Sequence, residues 1–325
     1  MADTSTLDDQ LNAYLADAVS IEEQALAQLR TAPDIAGDDA LADAFRTHLT
    51  ETERHLTLVR ERLEARGGEP SRFKRLVMAV GGKGFILFAR SQPDTAGKLT
   101  VHAYSYEALE QSSYELLRRV AERAGDAETV RVAETILADE YTMGDRLAER
   151  FDRAVDASLR DVHRDDLEAH VKTYLADAHA LESQSIGLLQ QAAKLGGDDV
   201  LTAMYDRHLT ETRAQAKRVE ARLEALGGST STIKDAAMRL GAFNWGGFFA
   251  AHPDTPGKLA AFAYAYEHLE IGGYELLARV AARAGDAETT RLAKTLADEE
   301  RAAAATIKAQ FDRAVERALE AQGVA

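Results

Sequence analysis

Along four long stretches of the first half of the chain, apolar residues recur every three or four positions. That spacing lays side chains on one face of an α-helix. The first stripe is Leu11, Leu15, Ala18, Glu22, Ala25 and Leu29. The second is Leu41, Phe45, His48, Thr52, His55 or Leu56, Val59 and Leu63. The third is Leu99, Ala103, Tyr106, Glu110, Ser113 and Leu117, and the fourth is Ala133, Ile136, Glu140, Leu147 and Phe151. The pattern predicts helices from about Thr6 to Arg30, Asp39 to Ala65, Pro93 to Ala124 and Asp126 to Leu159. Turn-forming residues punctuate them in TAPDIAGD, GGEP and AGD, and Asp94–Thr95 and Asp126 stand where N-caps belong.

The same pattern then repeats at an offset of 160 residues. HLTET occurs at His48–Thr52 and His208–Thr212, RAGDAET at Arg123–Thr129 and Arg283–Thr289, and FDRAV at Phe151–Val155 and Phe311–Val315. A repeat this long is a whole domain rather than a solenoid unit. The expected organisation is therefore two domains, residues 1–160 and 161–325, each an all-α four-helix bundle. In each copy the connection between the second and third helices is long and the others short, which is the connectivity of two helix pairs joined by one crossover. The join at residues 156–167 lacks Gly and Pro and reads as a short helical bridge. The crossover segments, residues 71–89 and 231–250, are apolar and aromatic and include Trp245. They read either as a kinked helix covering the bundle or as a patch for a partner or a membrane surface.

Composition narrows the chemistry. Apolar residues are 46 % of the chain and charged residues 29 %, a globular balance, and five prolines in 325 residues favour helix. There is no cysteine, so disulfides, thiolate nucleophiles and iron–sulfur clusters are excluded, and any metal must sit on oxygen and imidazole nitrogen. The formal charge of −15 opposes binding to a nucleic-acid backbone. No apolar run is long enough for a transmembrane helix. The opening MADTSTLDDQ is not a secretory signal, so a cytoplasmic location is expected.

The polar residues on the apolar stripes carry the functional expectation. Each helix of each copy contributes a mid-helix glutamate: Glu22, Glu51, Glu110 and Glu140, then Glu182, Glu211, Glu270 and Glu300. His48 and His208 precede Glu51 and Glu211 by three residues, and His55 follows Glu51 by four, where the second copy has Gln215. Buried carboxylates repel one another unless protons or cations neutralise them, and two divalent ions balance four. Hard oxygen donors with imidazole suit a di-metal centre of iron or manganese, with zinc possible and no organic cofactor predicted. Glu107 and Glu267 read as solvated or supporting groups, Tyr106 and Tyr266 as core, and His268 as lying at the edge of its face. Arg301, beside Glu300, is a candidate replacement for one metal's charge. The competing expectation is a structural or interaction module whose glutamates are held by protons or hydrogen bonds.

The motifs YLADAVSIEEQAL and YLADAHALESQSI, HLTET, YEALEQSSYELL and YEHLEIGGYELL, with ADEY and DEER on the fourth helices, resemble the ferritin-like superfamily and, within it, the YciE/YciF-type stress-protein family. The resemblance covers nearly the whole chain, as two copies of a domain usually found once. It implies cytoplasmic ferritin-like bundles, often assembled as a dimer, with a di-iron site and ferroxidase- or peroxide-related chemistry in stress. The superfamily's Glu-x-x-His pattern is absent: Glu51 is followed three residues later by Arg54, Glu140 by Met143, Glu211 by Ala214 and Glu300 by Ala303.

Overall fold

The computed structural model describes residues 6–69, 95–228 and 255–324. The predicted start at Pro93, the cap at Asp94 and the crossover segments 71–89 and 231–250 lie outside the described residues. The chain divides at Arg160/Asp161 into two compact units, the residues from Leu319 onward being grouped with the first.

The first unit holds α1 (Leu7–Leu29), α2 (Ala32–Ile35), α3 (Asp39–Ala65), α4 (Thr95–Arg123), α5 (Ala127–Ala148) and α6 (Phe151–Ser158). A 3₁₀ turn, Arg164–Asp166, precedes the second unit's α7 (Leu167–Leu195), α8 (Asp199–Ala225), α9 (Thr255–Arg283), α10 (Ala287–Lys308) and α11 (Phe311–Ala321). The segment from residue 156 to residue 167 is thus helical only in part. Among the described residues there is no strand, and no helix is long and apolar enough to cross a membrane.

Local chemistry sets the helix ends. Thr6 and Asp9 form a reciprocal capping box at the start of α1. Asp38 accepts from the N–H groups of Ala40 and Leu41, and Asp126 from that of Thr129. Their counterparts Asp198 and Asp286 do the same for α8 and α10. Between α4 and α5 the chain turns through Gly125 at φ 68°, a conformation glycine adopts without strain.

In the first unit α1 packs against α3 and α4, while α5 packs against both α3 and α4. One end of this ring is filled by Leu29, Leu41, Phe45, Leu99 and Leu147. Those residues close α1 and α5 but open α3 and α4, so α3 and α4 run parallel. At the other end Leu11, Leu15, Val59, Leu63, Leu117, Val120 and Ile136 are buried. Arg62 of α3 and Arg66, which caps its C-terminus, both reach Asp126 there, and Arg66 also bonds Asp8 at 2.6 Å and Asn12 at 2.8 Å. The two apolar layers leave a polar layer between them.

Two local features differ from the sequence reading. The turn after α1 contains the one-turn α2, with Pro33 in its first turn. The fourth helix is broken between α5 and α6 although no Gly or Pro marks the place. The Arg150 guanidinium bonds the Ala40 carbonyl at 3.3 Å, and Phe151 turns onto α4 with its ring centroid 5.5 Å from that of Tyr104. The second unit repeats the break, with Phe311 5.6 Å from Tyr264.

Candidate metal centre

The polar layer of the first unit is built from one face of each long helix. Glu22, His48, His55, Glu110 and Glu140 are all 0 % exposed, and Glu107 is 3 % exposed. Helical spacing explains the set: Glu107 and Glu110 are three residues apart on α4, and His48 and His55 are seven apart, two turns along the same side of α3.

Two groups of potential ligand atoms emerge. His48, Glu107, Glu110 and Glu140 form one, and Glu22, His55 and Glu140 the other; within each group the atoms lie within 4.8 Å of one another. Glu140 belongs to both and splits its carboxylate between them. Its Oε1 is 2.9 Å from His55 Nδ1, while its Oε2 is 3.6 Å from His48 Nε2. His48 Nε2 is also 3.2 Å from Glu107 Oε2. Despite this proximity His48 Nε2, His55 Nδ1, Glu107 Oε2 and both carboxylate oxygens of Glu110 and of Glu140 have no partner in hydrogen-bonding geometry. These inward atoms of the two histidines and of Glu107, Glu110 and Glu140 cluster in one buried layer. Buried polar atoms left in that state are costly unless something binds there.

The outward side of each imidazole is tied down. His48 Nδ1 lies 3.2 Å from Glu51 Oε2, and Arg146 Nη1 holds the same carboxylate at 3.0 Å. His55 Nε2 lies 2.9 Å from Asp139 Oδ2, which also receives Arg54. An ionised carboxylate only accepts, so Nδ1–H of His48 and Nε2–H of His55 donate, and the other nitrogen of each ring faces inward, where it can ligate once deprotonated. A ligating histidine is commonly held in this way by a carboxylate behind it. The Tyr114 hydroxyl donates to Glu22 Oε1, and Gln111 Nε2 donates to the Glu140 carbonyl at 3.1 Å. Gly144 leaves room for Gln111, since a Cβ there would meet Nε2 at 3.0 Å.

The electrostatics follow from burial and like charge. Burial, then Glu140, holds the Glu22 carboxyl up to about 8. Burial with Glu140 and Glu22 nearby pushes Glu110 well above the usual range, and burial raises Glu140 to about 7. Burial opposes charging of His48 and His55, yet the surrounding carboxylates raise both. The bond from His48, aided by Arg146, draws Glu51 down to about 2.

The second unit keeps only part of this arrangement. Among the described residues it gathers one group, His208, Glu267 and Glu300, with His208 Nε2 3.0 Å from Glu267 Oε2. Glu182 is buried and accepts from Tyr274, as Glu22 does from Tyr114. Glu270 is 2 % exposed with both oxygens unpartnered, but it does not join the group. Gln215 stands where His55 stands in the first unit. Burial raises Glu182 to about 8 and Glu300 to about 11, and the carboxylates around His208 lift it to about 9 against the effect of burial.

Several sequence expectations about the site change. Glu51 is not an inner carboxylate: its side chain is 20 % exposed and faces Arg146 behind His48. Glu211 is 56 % exposed, because the position of Arg146 is Thr306 in the second unit and nothing comparable holds it in. Glu107 and Glu267 take the inner places instead. Arg301 reaches Glu275 and Asp298 rather than Glu300. Tyr106 and Tyr266 donate to the carbonyls of Ile21 and Leu181, both at 3.0 Å, and so act as core residues. His268 Nδ1 sits 2.8 Å from the Tyr264 carbonyl, away from the ligand group.

The fold and site together define a tandem all-α bundle protein with buried carboxylate–histidine groups able to hold metal ions. The chain belongs to the family described as Domain of unknown function (DUF892), which matches residues 6–160 and again 166–320. No solved structure matches the chain.

Proposed function

We propose that the first unit is a ferritin-like bundle holding a pair of metal ions, iron or manganese, bridged by Glu140. The observation that carries this reading is the shared carboxylate, with one oxygen turned to each histidine. His48, Glu107 and Glu110 complete one position, while Glu22 and His55 complete the other. Four carboxylates balance two divalent ions, and the donor set of hard oxygens with one imidazole per ion fits iron or manganese. Such a pair supplies redox chemistry toward oxygen or peroxide, which suits a ferroxidase-like or peroxide-consuming role in stress protection. The chain's own part is to orient the donors and exclude water. Glu51 and Asp139 fix the two imidazoles, Tyr114 fixes Glu22, and the apolar layers close both ends.

For the second unit a structural reading also has support, because the second histidine is replaced by Gln215 and Glu211 is exposed.

Elemental analysis of the purified chain after supply of iron or manganese tests the proposal. Wild-type protein should retain metal, and Glu140→Ala and Glu110→Ala should lower its content while keeping helical circular dichroism. Wild-type protein without metal under both conditions would contradict it.

A further inference from the structure

The place of the second ion is filled differently in the second unit. Where His55 points its Nδ1 inward, Gln215 uses its amide Nε2 to bond Glu299 at 3.2 Å and leaves Oε1 buried, unpartnered and neutral. The residue one turn on, Leu58 in the first unit, is Arg218 in the second. Its guanidinium bonds both oxygens of Glu299, and its charge is felt by Glu182. Arg218 and Gln215 thus occupy Glu299 with bonds of their own, and an amide oxygen in place of an imidazole is a weaker donor for a transition-metal ion. The first position keeps three of its four residues: His208, Glu267 and Glu300 converge, with His208 Nε2 3.0 Å from Glu267 Oε2 and both oxygens of Glu300 without a donor.

We infer that the second unit is a single-ion site, in which His208, Glu267 and Glu300 bind one divalent cation while Gln215 and Arg218 close the second position. This inference rests on the proposed metal centre of the first unit. It makes the chain a device with two unlike centres, a pair and a lone ion. The two would differ chemically, because a lone ion has no neighbour with which to share a two-electron step.

The test is manganese(II) binding to the full chain after chelator treatment, with bound ions counted by equilibrium dialysis and elemental analysis and electron paramagnetic resonance recorded on the same samples. Wild-type protein should bind three ions and His208→Ala two. A His48→Ala/His55→Ala chain should bind one, with the spectrum of a magnetically isolated ion. Adding Gln215→His and Arg218→Leu to that chain should raise the count to two and introduce exchange coupling. Two ions or none in the His48→Ala/His55→Ala chain would overturn the inference, as would a graft that still binds one. If the metal-centre proposal itself fails, His208→Ala protein binds nothing; if only this inference fails, that variant still binds a coupled pair. Thermal melts of each variant establish that it is folded.

Discussion

The two units share a backbone plan and four inner carboxylates, yet they differ in what stands behind and beside those carboxylates. In the first unit Arg146 holds Glu51 against His48, and Asp139 holds His55. In the second unit Arg146 has become Thr306 and His55 has become Gln215, and Glu211, the counterpart of Glu51, is exposed. The difference teaches that a repeated carboxylate is not sufficient for a repeated site. The second ligand position is lost where the imidazole itself is replaced, at Gln215, whereas His208, Glu267 and Glu300 still converge although Glu211 is exposed.

Removing the shared carboxylate should separate the units most sharply. Glu140→Ala is expected to empty both positions of the first unit, whereas Glu300→Ala should cost the chain a single ion; metal content per chain distinguishes them. Equal losses would erase the distinction.

Metal-free protein should respond strongly to pH. The carboxyls of Glu22 and Glu140 titrate at 4.5 when unperturbed and at about 8 and about 7 in the fold, and His208 rises from 6.5 to about 9. Between those values the folded chain binds more protons than the unfolded one, so stability falls as pH rises. The contribution is fully present below the unfolded values and is lost as pH passes through the folded ones. Melting in chelator should therefore drop from pH 5 to pH 9. Added manganese should reverse the trend in the first unit, because metal binds the deprotonated ligands. A melting temperature that rises with pH in chelator would contradict this.

The groups behind the ligands give the next effect. Asp139→Ala should weaken manganese binding in the first unit by roughly 10–100-fold, as loss of a partner to a ligating histidine typically does. Glu299→Ala removes a partner of Gln215 rather than of a ligand, and should leave the affinity at His208 within a few-fold. Titrations in the His208→Ala and His48→Ala/His55→Ala backgrounds read each site alone.

The smallest effect concerns packing. Phe45 of the first unit is replaced by Tyr205, whose hydroxyl is buried without a hydrogen-bond partner. Tyr205→Phe should stabilise the metal-free chain by about 1 kcal/mol, the cost of leaving such a group unsatisfied. Denaturant unfolding measures it; a loss of stability would show that the hydroxyl has a use.

Much of the bundle was legible in the chain because burial and helical period act at the level of single stripes. Leu11, Leu15, Phe45, Leu63, Leu117 and Ile136 all fall in the core where the period places them. The break before Phe151 was not legible, since it recurs before Phe311 with Gln310 in place of Arg150 and so follows the packing of the two phenylalanines on Tyr104 and Tyr264 rather than a Gly or Pro. The site was half legible. Glu22, Glu110, Glu140, His48 and His55 share the polar layer, but spacing alone could not separate Glu51 from Glu107. Both lie three residues from an inner group; Glu51 faces Arg146, more than ninety positions away, whereas Glu107 and its counterpart Glu267 face His48 and His208. A usable signal was present: Glu107 and Glu110 form a Glu-x-x-Glu pair that recurs as Glu267 and Glu270.

Anomalous scattering from crystals of the manganese-loaded chain probes the shared carboxylate most directly. Two peaks about 3.5–4 Å apart, one on each side of Glu140, are expected in the first unit. A single peak there, or none within reach of Glu140, would contradict a bridged pair.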